Sequence, residues 1–160
     1  EDISIKKVNK VDANFNARFD AKKKTYKYKI YNHQSRSPIH AYNSWWVSQK
    51  LNIVDMKKAS KYLLGNHDFS SFRASGCQAL SPIKTLDKIA IVKKKNIITL
   101  TFTARSFLYK QVRIMTGTLK DVGSGLIKPI ALKKILQEKK RSGSGVTAPS
   151  KGLTLYKVYY

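Results

Sequence analysis

Arg113 lies in ARSFLYKQVRIMTGTLKDVG, residues 104–123, a stretch with the spacing of an amphipathic helix. At about 100° per residue, Ile114, Phe107, Val122, Met115, Leu108, Leu119 and Val112 fall on one continuous apolar arc. Arg113 lies on the opposite face, one turn beyond Tyr109. Two chemistries fit such an arginine. It can be a solvated charge on a polar face, or it can be held against an acidic group by a helix whose other face is locked in the core. The pattern alone leaves both open. Metal chemistry is not expected, because none of His33, His40 and His67 stands at a zinc-like spacing from the single cysteine, Cys77. One cysteine also excludes an internal disulfide framework and fits a reducing compartment.

The elements that must position these residues can be read coarsely. Ile3–Val8 alternates like a strand, and Thr25–Asn32 does so strongly, with Tyr26, Tyr28 and Ile30 on one face. Between them FNARF sets Phe15 and Phe19 around Arg18 in a lysine-rich stretch. Asn32–Asn43 reads as a loop leading into Trp45–Val47. Asn52 can cap a helix over Ile53–Leu64 that Gly65 stops. HDFSSFRASGCQALSP has no clear period. Ile83–Val92 and Ile97–Ala104 form a hairpin turning at Lys93–Asn96. The Arg113 helix follows, breaks at residues 123–125, and gives way to a helix over Ile130–Lys139 with Pro129 at its start. RSGSG at 141–145 is a flexible loop, and Leu153–Tyr159 is a last strand. This order predicts an α+β fold, a largely antiparallel sheet with helices packed on one face, as a single domain over residues 1–160.

Charge narrows the partner. The chain carries 32 Lys and Arg against 9 Asp and Glu, a net +23. So basic a surface repels itself unless it meets a polyanion. Anionic membranes would also serve, but there is no long apolar run, so nucleic acid leads and no membrane is expected. The chain opens at Glu1 rather than Met and enters ISIKKV almost at once, which reads as a portion cut from a longer protein.

Four segments, taken in order, carry more. FNARFDAKKKTYKY contains Tyr26, DFSSFRA contains Phe69, Phe72 and Arg73, the helix stretch contains Tyr109 and Arg113, and APSKGLTL contains Ala148, Pro149, Gly152 and Leu153. At these separations they resemble the C-terminal part of the bacterial tRNA pseudouridine synthase A family across almost the whole chain. The resemblance implies isomerisation of uridines 38–40 of the tRNA anticodon stem-loop, without metal or organic cofactor, by a cytoplasmic homodimer that reads tRNA across both subunits. It further implies an aspartate nucleophile in an Arg-Thr-Asp-Ala-Gly loop. Asp2, Asp12, Asp20, Asp55, Asp68, Asp87 and Asp121 all lack that context. The nucleophile is therefore expected in an N-terminal domain absent from these residues, and the 160 residues alone are expected to be inactive.

By the same resemblance Arg113 pairs with the missing aspartate, Tyr26 packs on the target base, and Leu153 closes the other side of the base pocket. Phe69, Phe72 and Arg73 are expected to support the pocket wall. Asn16 and Lys110 depart from the family, which more often has His at both positions, and this bears on RNA contacts rather than on the nucleophile. A non-catalytic basic RNA-binding module would explain the charge equally well, but not APSKGLTL.

Overall fold

The computed structural model describes residues 2–160. In chain order its elements are β1 (Lys23–Asn32), β2 (Trp45–Val47), α1 (Ile53–Ser60), β3 (Gly65–Asp68), β4 (Ile83–Lys94), β5 (Ile97–Ala104), α2 (Gln111–Gly123), α3 (Ala131–Glu138) and β6 (Leu153–Tyr159). The sheet runs β2-β1-β5-β4-β3, and β6 lies on the same side of β1 as β2 but farther back along it. Among the described residues only the β1–β2 pair is parallel.

The period-2 alternation of β5 divides the sheet's two faces. Ile98, Leu100, Phe102 and Ala104 are buried, and Thr99, Thr101 and Thr103 are half-exposed on the reverse. Register places Tyr26 opposite Phe102 and Tyr28 opposite Leu100, so β1 contributes its tyrosines to the covered face. Against that face lies α2, which is buried nearly all round. Its two buried threonines return their hydroxyls to carbonyls one turn back, Thr116 to Val112 and Thr118 to Ile114, so no polar atom is stranded. Gly123 lets α1 come close: a Cβ there would stand 2.8 Å from the Met56 sulfur.

The α+β class, the antiparallel sheet and the helices on one face agree with the expectation. Asn52 caps α1 by accepting from the amides of Val54 and Asp55, and β6 has the anticipated limits. Four readings are corrected. Ile3–Val8 is not a strand: it meets no sheet edge, and Ile3, Ile5 and Val8 are exposed. The helix over Ile53–Leu64 ends at Ser60 and tightens into a 3-10 turn over Lys61–Leu63. Gly65–Asp68, too polar to show a period, becomes β3 because β4 offers it an open edge.

The fourth correction concerns the arginine helix, which starts at Gln111 and not at 104. Ala104 is still bound in the sheet, between Lys24 and Leu86, and Lys110 takes a left-handed φ of 57°, which a right-handed helix cannot run through. Phe107 and Leu108 therefore reach the core from the connection between β5 and α2. There the Gln111 side-chain carbonyl accepts from the Leu108 amide at 2.8 Å.

Candidate active site

With the helix starting this late, residues 106–110 and the first turn of α2 line a cleft of about 730 Å³ together with β1 and the start of β6. Tyr26, Arg113 and Leu153 all line it, although they lie far apart in sequence. Arg18, Lys24 and Lys110 line it too, and among the described residues no Asp or Glu does. Four cations with no carboxylate among them make a site that attracts negative charge.

The Arg113 side chain is tied at one end. Its Nε donates to the Ala148 carbonyl at 2.6 Å, and the Ala148 amide donates back to the Arg113 carbonyl at 3.2 Å. The two terminal nitrogens have no hydrogen-bond partner, and no carboxylate stands within ion-pair distance, among the described residues. So the fork is aimed and unspent. What aims it is the segment from Gly145 to Gly152, pressed onto the fold by glycines. A Cβ on Gly117 of α2 would collide with the Val146 carbonyl, and one on Gly145 with the Asp121 carboxylate. A Cβ on Gly152 would stand 2.7 Å from the Tyr28 ring, whose hydroxyl donates to the Pro149 carbonyl at 2.6 Å.

The other wall is aromatic. Tyr26 meets Phe107 edge to face, with centroids 5.2 Å apart at 87°, which fixes the tyrosine ring in place. Burial pushes the Tyr26 phenol up, so it stays neutral. The Tyr28 phenol is pushed up further by burial, against the opposing charge of Arg113. Arg73 braces the third wall by donating through one nitrogen to the carbonyls of Cys77 and Ala79, at 2.9 and 2.7 Å. Phe69 and Phe72 are wholly buried beneath it. Burial works to raise the Cys77 thiol, but the amides of Tyr109 and Ala79 and the Arg73 charge outweigh it and leave the thiol below its usual value. No group of three or more His, Cys, Asp or Glu placed to hold a metal occurs among the described residues.

Sequence reasoning gave Arg18, Lys24 and Lys110 no place in the site. FNARF was the available signal. Asn16 accepts from the amides of Arg18 and Phe19, at 2.9 and 3.2 Å, and so folds that segment into the turn that carries Arg18 to the cleft.

A family model for tRNA pseudouridine synthases matches residues 59–160, which include Arg113 and Leu153. The chain belongs to the tRNA pseudouridine synthase family. Relatives named tRNA pseudouridine synthase A extend the likeness to Tyr26. The one from Anaplasma phagocytophilum is 44% identical over 160 residues, all of this chain and 65% of the relative. The one from Ehrlichia canis is 46% identical over 158 residues, 99% of this chain and 64% of the relative. That from Acetivibrio thermocellus is 41% identical over 160 residues, 100% of this chain and 66% of the relative. The chain thus spans just under two thirds of the length of these curated relatives.

Proposed function

We propose that the cleft receives a uridine turned out of the tRNA anticodon stem-loop, at positions 38–40, and that these residues form the base pocket of a pseudouridine-forming isomerase. The observation that carries this reading is the unspent fork of Arg113 in a cleft with four cations and no carboxylate of its own. A carboxylate brought from outside the 160 residues would find the fork ready. A cation within about 4–6 Å lowers a carboxylate pKa by roughly 1–3 units, which keeps a nucleophile ionised. Tyr26 supplies a flat neutral platform for the extruded base, as base-flipping sites require, and Leu153, on the paired strand β6, adds an apolar side chain to the same cleft. The uracil is detached from its sugar, turned, and rejoined through carbon. The hydrogen on that carbon leaves as a proton and the freed ring nitrogen gains one, so the reaction is an isomerisation that needs no redox partner.

On the same reading the whole protein works as a homodimer in the cytoplasm. No helix among the described residues is long and apolar enough to cross a membrane. The test is tritium release from uridine-labelled tRNA. The protein carrying the aspartate loop should release tritium, whereas residues 1–160 alone should bind tRNA and release none. Turnover by the 160 residues alone would refute an external nucleophile.

A further inference from the structure

On the far side of the 145–152 segment lies a second cavity, of about 270 Å³. It is built by the loop between β1 and β2 and shares none of the cleft's lining residues. Tyr31, His40 and Trp46 supply planar faces, Arg36 and Lys151 supply charge, and no carboxylate lines it among the described residues. The rings are already ordered for stacking. Tyr31 and His40 lie 5.0 Å apart and 36° from parallel, and the Arg36 guanidinium sits 4.7 Å from the Trp46 ring centroid.

This arrangement is held rather than incidental. Asn32, buried at the end of β1, donates to the carbonyls of Val47 and Gln49, at 3.0 and 2.6 Å, and so fixes where β2 leaves. The Trp46 indole donates to the His33 carbonyl at 2.9 Å, and the Ser44 hydroxyl to the His40 carbonyl at 2.7 Å. A rigid loop of aromatic and cationic side chains does little for the core beneath it. Its chemistry suits a base, which stacks on a ring or a guanidinium plane, joined to a phosphate, which pairs with Arg36 or Lys151. The volume falls just below the roughly 300–1,000 Å³ of ordinary ligand pockets and so suits one nucleotide rather than a duplex.

We infer that this cavity is a second nucleotide-binding subsite, which stacks one unpaired base of the RNA outside the uridine cleft. It rests on the reading that the ligand is RNA, and the two can fail separately. Trp45 and Trp46 are the only tryptophans in the chain, both line this cavity and neither lines the main cleft, so their fluorescence separates the two sites.

The experiment titrates the chain with hexaadenylate RNA, with an abasic ribose-phosphate chain of the same length, and with a hexaglutamate peptide. Hexaadenylate should quench the fluorescence to saturation, and the abasic chain should need at least about fivefold more, the lower end of a stacked base's affinity. Arg36→Ala and Lys151→Ala, both at exposed positions, should each weaken the quenching. Lys110→Glu in the main cleft should lower tRNA retention on filters and leave the quenching intact. Equal quenching by the abasic chain or the peptide would overturn the inference. So would no quenching at all, or quenching lost in Lys110→Glu and kept in Arg36→Ala. Failed pseudouridine formation by the whole protein carrying the aspartate loop, with hexaadenylate quenching preserved, would sink the uridine cleft and spare this site.

Discussion

Replacing Arg113 by lysine keeps the charge and removes the fork, and the structure separates what each change costs. The guanidinium has its Nε on the Ala148 carbonyl at 2.6 Å and its terminal nitrogens free for a carboxylate. A lysine has one nitrogen and cannot do both. If it stays with Ala148 it abandons the carboxylate; if it reaches for the carboxylate it leaves the carbonyl of a fully buried residue unpaired. A hydrogen bond to a charged group is worth about 1.5–3 kcal/mol. Arg113 is only half-buried, so the lower end applies, and the melting temperature should fall by roughly 3–6 °C. Turnover should fall further, because a bidentate pair fixes the direction of a carboxylate as well as its charge. A loss of about 10²-fold corresponds to about 2.7 kcal/mol of transition-state stabilisation. The assay is single-turnover tritium release by the whole protein, alongside filter binding of the same tRNA. Binding should change by less than about threefold, since phosphate contacts are shared among many other cations. An unchanged rate would leave Arg113 only its tie to the Ala148 carbonyl. A binding loss as large as the rate loss would make it one more phosphate contact.

Other perturbations probe the frame. Gly117→Ala drives a methyl into the Val146 carbonyl, so it should cost about 1–3 kcal/mol in denaturant unfolding. Because Ala148 is displaced with the segment, it should also slow turnover. Cys77, held below its usual pKa in the cleft wall, should alkylate with iodoacetamide at a lower pH than a free cysteine, and bound tRNA should protect it; equal rates with and without tRNA would place the RNA elsewhere. Burial works to raise the Asp68 carboxyl, but Ser70 and Lys139 hold it below its ordinary 3.8. A depressed acid stabilises the fold above its unfolded pKa and loses that contribution as pH falls through the folded one. Asp68→Asn should therefore lower stability at neutral pH by about 0.5–1 kcal/mol and flatten the acid limb, as read by melting temperature between pH 6 and pH 3.

Periodicity and end signals within one stretch of chain determined much of this protein. The tyrosine alternation of β1, the β4–β5 hairpin, the Asn52 cap and the apolar spine of α2 are all local, and each was legible because propensity, pattern and tertiary environment agree there. The family motifs added Tyr26, Arg113 and Leu153 as one set. Where contacts between distant segments decide, the sequence was silent or misleading. Ile3–Val8 has the pattern of a strand but no edge to join, whereas Gly65–Asp68 has no pattern and is drawn into the sheet by β4. Residues 104–110 fit a helix by spacing, yet sheet pairing at Ala104 and the left-handed Lys110 hold them open, and they line the cleft at residues 106–110. Arg113 was visible as an arginine on a helix. Its tie to Ala148, 35 residues away, was not, because a backbone carbonyl carries no mark in the sequence and only the packing of Gly117, Gly145 and Gly152 brings that carbonyl within reach.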